Sequence, residues 1–401
     1  DYAVGAVGTA NSYIGIFIIM FSIISSGMVS VMTQNIGAGR PGVAYQARQL
    51  GLLFNAVAGV LMAVFLFSGA GAILRMVGIA DALYEPALIY LKIVGGGCIL
   101  NAVIPIFSSY LRAFGYTKQP LYATIVGNIA NFVMNAVFLF VLHKGVAGVA
   151  AATVISKILN LCIVLYFSHK LISAKNSTER IANKTVLGQI VKVGLPSACE
   201  TALYNVAMML VIRFLNQMDA EGLNVTARSY TATISNFSYC VGAALAQANA
   251  IMTGWHIGAG ELEECDRGTK RAAFVGVCVA VCMETAIVLG SGFIMPLFTD
   301  NPEMTALVRK LLAIDIVLEI GRVTNLVFGQ ALKTSGDAVF PAVIAAVFMF
   351  VFAVGGTWLF GISMGLMAVG AYIGLASDEC VRAVGMVWRW KTGKWRTKKL
   401  V

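Results

Sequence analysis

Ile36-Gly-Ala-Gly39 recurs as Ile257-Gly-Ala-Gly260, and Leu111-Arg-Ala-Phe-Gly115, with Pro120 beyond it, recurs as Leu332-Lys-Thr-Ser-Gly336, with Pro341 beyond it. Both pairs share an offset of 221 residues, from 36 to 257 and from 111 to 332. A single Gly-rich turn is a weak signal, because glycine is the default residue wherever a chain turns through a left-handed conformation. Two motifs at one shared offset indicate an internal duplication. The two copies read as parallel repeats related by an axis along a membrane normal.

Composition says what the repeats are made of. The chain has 401 residues, 59% hydrophobic and only 12% charged, against roughly 25% charged in a soluble domain. With a mean hydropathy of +0.82 it cannot cover a water-facing surface. That excludes a soluble enzyme, a nucleic-acid-binding domain and a disordered chain. An all-α polytopic membrane protein is expected.

Crossing about 30 Å of hydrocarbon takes roughly 20 apolar residues in a helix. Eleven stretches qualify, at about 8–33, 48–72, 85–113, 119–142, 145–169, 187–216, 223–253, 268–297, 303–333, 338–361 and 365–389. The longest hydrophilic connection runs from His169 to Lys184 and divides five spans from six. The expected organisation is an N-terminal bundle over 1–169, a basic linker over 170–186, a C-terminal bundle over 187–390 and a basic tail over 391–401.

The net charge of +10 is gathered on alternate connections. One side holds Arg40, Arg48, Arg112, Lys118, Lys170, Lys175, Arg180, Lys184, Arg267, Lys270, Arg271, Lys333 and the tail from Arg389 to Lys399. The other shows little beyond Arg75, Lys144, Arg309 and Lys310. Such a bias places the first side, with the C-terminus, in the cytoplasm, and no nucleic acid is needed as a partner. The tail tryptophans Trp388, Trp390 and Trp395 are expected to anchor it at the bilayer interface. Among eight cysteines there is no CxxC pair, and Cys265, in a polar segment, is expected to be the reactive thiol. His143, His169 and His256 lie far apart, so neither a metal site nor a cofactor is expected.

With its two-by-six arrangement, the chain resembles the multidrug and toxic compound extrusion (MATE) transporters of the multidrug/oligosaccharidyl-lipid/polysaccharide flippase superfamily. The resemblance rests on the paired Ile-Gly-Ala-Gly turns, on Tyr110-Leu-Arg-Ala-Phe-Gly-Tyr-Thr-Lys-Gln-Pro120 with its partner Leu332–Pro341, and on Gly194-Leu-Pro-Ser197. It implies two pseudo-symmetric six-helix bundles set in a V around a central cavity, with helices 2–6 of the family before the linker and 7–12 after it. By the offset, the 187–216 span should have a counterpart at about −34 to −5 (187 and 216, each less 221). The first helix is therefore expected to be missing from this chain, together with the coupling Asp that many bacterial members carry on it. The resemblance places Asn128, Asn131 and Asn135 on one face of the family's fifth helix. Asn135 stands where members often carry Asp, and an amide takes up no proton.

Charges at membrane depth are costly, so each is a candidate for function. Glu200 lies four residues past Pro196 and could bind a coupling cation or a substrate's charge, with Tyr204 one turn on as an aromatic face. Asp315, Glu319, Arg322 and Asn325 fall on one helical stripe. They read either as a cavity-facing proton or Na⁺ relay, or as a Glu319–Arg322 pair locking helices. Asp378 and Arg382 are four apart and are expected to pair, with Glu379 between them. Lys157 is awkward beside a cation path and calls for an acidic neighbour or a substrate that is not cationic. Glu284 is expected to make a local hydrogen bond, Asn101 with Pro105 to bend a helix, and Asn205, Asn236, Gln247 and Asn249 to face the cavity.

These readings favour a secondary antiporter that exports small amphipathic, cationic organic compounds in exchange for Na⁺ or H⁺ by alternating access, acting as a monomer in the plasma membrane. The alternatives are a lipid-linked saccharide flippase, for which Lys157 and Arg322 would hold phosphate, and a membrane receptor or scaffold.

Overall fold

Helices account for nearly all of the computed structural model, which describes residue 21 and residues 23–76, 81–172, 179–219 and 221–401. The start of the first expected span, Ser22 and Lys175 lie outside the described residues. In chain order the helices are α1 over 23–37, α2 Pro41–Met76, α3 Asp81–Gly96, α4 Cys98–Ala113, α5 Lys118–Ala136, α6 Gly145–Leu171 and α7 Asn183–Met218. They continue with α8 Leu223–Ala259, α9 Leu262–Ile294, α10 Pro302–Thr334, α11 Val339–Phe348 and α12 Met367–Lys391. π-Helical turns extend α5 over Val137–Val141 and α11 over Met349–Val354 and Thr357–Ser363. Each expected span carries a helix, α3 and α4 together supplying the third.

Among the described residues, six helical stretches are long and apolar enough to cross a bilayer, built on α2, α5, α6, α7, α9 and α11, and the α3–α4 pair makes a seventh. The long helices outside that set, α8, α10 and α12, are the polar ones. Their side chains face one another around a charged cavity, so these helices need less apolar surface than ones facing lipid.

The bend between α3 and α4, 40°, corrects an expectation. Asn101 and Pro105 both lie inside α4, and the break falls at Gly97, after Gly95 and Gly96. A Cβ on Gly95 would sit 2.9 Å from Leu66 Cβ, so the glycine run lets α3 press against α2.

Contacts divide the chain into two compact units, Asp1–Ala198 and Cys199–Val401. In the first unit the core is Leu66, Leu74, Leu91, Cys98 and Ala150, from α2, α3, α4 and α6. Asn55 Nδ2 donates to the carbonyls of Phe21 (3.3 Å) and Ala102 (3.1 Å). Gln46 Nε2 donates to the Ile181 carbonyl at 2.7 Å, and its Oε1 accepts from the Ile181 N–H at 3.2 Å, holding the approach to α7 against α2. In the second unit Val211, Leu215, Leu311, Leu312, Leu318 and Tyr372 pack α7, α10 and α12 together. The start of α8 is held by Asp219, whose carboxylate accepts from the Leu223 and Asn224 N–H groups at 3.0 Å each. Slight burial works against the Asp219 charge, but these bonds outweigh it and hold the carboxyl below its usual range.

The duplication is visible in the turns. The Arg40 N–H reaches the Asn35 carbonyl at 2.8 Å, and 221 residues on the Glu261 N–H reaches that of His256 at 2.8 Å. Tyr116 to Leu111 and Asp337 to Leu332 repeat the pattern, each at 3.0 Å. All four closures end a helix through a left-handed glycine: Gly39 (φ 74°), Gly260 (79°), Gly115 (85°) and Gly336 (97°). These are Schellman-type caps, in which a Cβ would be strained.

Two further expectations are corrected at the C-terminal end. Trp390 and Trp395 are buried and stacked with centroids 4.1 Å apart; their indole N–H groups donate to Asp266 (2.7 Å) and to the Trp390 carbonyl (3.0 Å). Only Trp388 is left exposed. The tail folds onto α9 and α10 because its charges find partners there, Arg389 on Asp337 and Arg396 on Glu263. Cys265 sits in the first turn of α9, 1% exposed, not in an open loop.

Gly194, of the Gly-Leu-Pro motif, has a steric role. A Cβ there would fall 1.8 Å from the Ile23 carbonyl oxygen of α1, whereas one on Gly188 of the same helix meets nothing within 4 Å. Gly194→Ala should therefore destabilise the folded protein by about 1–3 kcal/mol, lowering its Tm in detergent. Gly188→Ala should leave the Tm unchanged or raise it slightly.

Candidate functional site

The second unit encloses a cavity of about 310 Å³. Its wall comes from Tyr204 and Met208 of α7, Arg228, Ser235, Asn236 and Tyr239 of α8, Asp315, Leu318 and Arg322 of α10, and Tyr372, Asp378 and Glu379 of α12. Helical periodicity brings these groups together. On α10, 315, 319 and 322 follow one stripe, and on α12 so do 372, 375, 379 and 382.

Between α10 and α12 runs a buried chain of charges. Arg322 Nη1 donates to Glu319 Oε1, and its Nε lies 3.7 Å from Glu379 Oε1. The same Glu379 oxygen takes Arg382 Nη2 at 2.8 Å, while Glu379 Oε2 accepts from Asn325 Nδ2 at 3.0 Å. Arg382 also holds Asp378 in a two-pronged pair, at 3.0 and 2.7 Å. Three carboxylates thus share two guanidinium groups. The Arg322 guanidinium also lies 5.7 Å from the Tyr239 ring centroid, at cation–π range.

Asp315 differs from the rest. It is 3% exposed, forms no ion pair, and its Oδ2 has no hydrogen-bond partner among the described residues. Glu284 of α9 is fully buried close to Asp315 and Glu319. Neither of its oxygens makes a hydrogen bond of good geometry among the described residues, and the Ser238 hydroxyl of α8 is the polar group near it.

The remaining sequence candidates are distributed as follows. Tyr204, Asp315, Arg322 and Asp378 line the cavity, with Glu319 and Asn325 behind them in the charge network. Glu200 is outside it, paired with Lys333 at 2.7 Å. Asn205 donates to the Thr201 carbonyl on the exposed side of α7. Of the other polar candidates, only Asn236 lines this cavity; Gln247 is exposed, and Asn249 lies by a separate cavity between α8 and α9. In the first unit Asn135 Nδ2 donates to Asn131 Oδ1 at 3.1 Å, and Asn131 to Ser156 at 3.4 Å, while Asn128 is exposed. Lys157 donates to Asn101 Oδ1 at 2.7 Å, a neutral amide and not the acidic partner or anion that its charge calls for.

Sequence reasoning missed Arg228, Tyr239, Tyr372 and the bridging role of Glu379. Tyr372 stands on the same α12 stripe as Glu379 and Arg382, so periodicity held that signal. Arg228 is the lone Asp, Glu, Lys or Arg of α8. Near a helix start it reads as a snorkelling side chain, which hides it.

Breaking a buried ion network by removing one partner leaves charge uncompensated. Glu379→Gln should destabilise the protein by about 3 kcal/mol, read as a drop in Tm. Asp315→Asn, which removes a charge from a site without an ion pair, should leave the Tm unchanged or raise it.

The comparisons agree with this architecture. The family model described as MatE matches residues 1–137 and 196–359. The uncharacterized transporter YisQ of Bacillus subtilis is 31% identical over 99% of this chain and 88% of its own length. The probable multidrug resistance protein NorM of Thermotoga maritima is 19% identical over 100% of this chain and 87% of its own. Among solved structures, an outward-facing multidrug resistance MATE transporter of the MOP superfamily superposes with a TM-score of 0.88 at 20% identity, over 99% of this chain and 88% of that one.

Proposed function

Since the chain belongs to the MatE family of secondary transporters, we propose that it exports small amphipathic organic compounds from the cytoplasm in exchange for Na⁺ or H⁺. The observation that carries this reading is Asp315, a buried carboxylate without an ion pair among the described residues, on the wall of a cavity with three tyrosines. A carboxylate in such a place can take a proton, a Na⁺ ion or the cationic end of a substrate, but not two at once. That exclusivity is the physical basis of antiport. Each ligand shifts the balance of conformations only by its differential affinity for them, and Asp315 is the group whose occupancy would differ.

The rest of the network has a supporting part. Arg322 and Arg382 engage Glu319, Asp378 and Glu379 in ion pairs, so among the described residues Asp315 is the lining carboxylate left without an ion-pair partner. Tyr204, Tyr239 and Tyr372 offer ring faces to an aromatic substrate. Nothing in this scheme makes or breaks a covalent bond. By the bias of basic connections, the loops after α1, α4 and α8 and the C-terminal tail face the cytoplasm. A lipid-linked saccharide flippase has less support: Lys157 is engaged with Asn101, and Arg322 with Glu319 and Glu379.

Purified protein in liposomes loaded with a cationic dye should release the dye faster when a Na⁺ or pH gradient is imposed. Asp315→Asn should cut the gradient-dependent part by about tenfold or more. Gradient-driven efflux that is the same in Asp315→Asn would remove Asp315 from the coupling role.

A further inference from the structure

The cavity wall of the second unit carries five charged side chains: Arg228, Asp315, Arg322, Asp378 and Glu379. Three of them, Arg322, Asp378 and Glu379, belong to the ion-pair chain. The other two, Arg228 and Asp315, are one cation and one anion. Neither is within ion-pair distance of an opposite charge among the described residues, and they do not pair with each other. Arg228 Nη2 instead points at Met208 Sδ, 3.7 Å away, a weak acceptor that leaves the guanidinium fork largely unused.

Tyr372 shares the wall with both poles. It is 4% exposed, lines the cavity, and lies within electrostatic range of both Asp315 and Arg228. Tyr204 likewise lies within range of Arg228. The arrangement is a positive pole and a negative pole on the wall of one cavity, together with aromatic surface.

We propose that this cavity selects amphoteric organic compounds, with the substrate's carboxylate docked on Arg228 while its cationic group meets Asp315. The assignment rests on the export reading above and narrows its substrate class. Arg228 is half-buried on that wall, and a planar fork matches a carboxylate bidentately. A purely cationic substrate would gain nothing from Arg228 and would be repelled by it. A multiply charged phosphate would find one unpaired guanidinium against Asp315, Asp378 and Glu379. A zwitterion answers both poles, giving Arg228 and Asp315 each an opposite charge.

The test uses two dyes that differ at one group, a rhodamine with a free benzoate and its methyl ester. Binding to the purified full-length protein is followed by fluorescence polarisation, and flux is followed in liposomes. The wild type should bind the free acid about tenfold more tightly than the ester. In Arg228→Gln the two dyes should bind alike, and Arg228→Lys should keep part of the preference. The acid-to-ester ratio is internal to each variant, and ester binding reports that the variant is folded. If the wild type binds the ester as well as the acid, if it binds neither dye, or if Arg228→Gln keeps the preference, the inference is overturned. Gradient-driven flux of the ester with no preference for the acid overturns it while leaving the export reading intact. An Arg228-dependent preference in binding with no gradient-driven flux of either dye supports it and defeats the export reading instead.

Discussion

Glu379 receives Arg322 and Arg382 on one carboxylate oxygen and the Asn325 amide on the other, and the second unit is organised around that convergence. Two guanidinium groups from adjacent helices, α10 and α12, would repel each other without it. With it they cross-link the helices and give Glu319 and Asp378 ion-pair partners as well. Such networks are stable only when nearly every member is satisfied. The consequence is selective: the network absorbs its own charges and leaves Asp315 and Arg228 as the exceptions on the cavity wall.

That division explains why α8, α10 and α12 are the long helices too polar to count as ordinary spans. Their polar faces are turned toward one another and their apolar faces pack α7 and α9, with Leu311, Leu318, Val323 and Val327 fully or almost fully buried. The membrane helices proper carry the solubility in lipid, and the polar three carry the chemistry. A duplicated fold made of parallel repeats need not have duplicated chemistry. In the first unit Asn131 and Asn135 of α5 are amides bonded to each other and to Ser156, and Lys157 of α6 is bonded to an amide.

What sequence made legible was whatever depends on spacing within one helix. The eleven helical stretches, the 221-residue repeat with its glycine turns, and the α10 stripe from Asp315 to Asn325 all follow from periodicity or offset. Pairing between helices is a different matter, because partners distant in sequence leave no local trace. Glu200 finds Lys333, Lys157 finds Asn101, and Arg322 finds Glu379. None of these is readable without the fold. The tail shows the same limit: Trp390 and Trp395 look like interfacial anchors by composition, yet Asp266 and Glu263 of α9 draw the tail inward. Arg228 was invisible for a different reason, since near the start of α8 it reads as a snorkelling side chain.

The central claim is that one buried carboxylate serves coupling ion and substrate in turn. The most direct measurement is the equilibrium affinity of the purified protein for a cationic dye, titrated against Na⁺ and against pH. The account predicts that one of the two ions weakens dye binding competitively in the wild type, and that the competition disappears in Asp315→Asn. Dye binding indifferent to both ions, or competition that persists undiminished in Asp315→Asn, would contradict it.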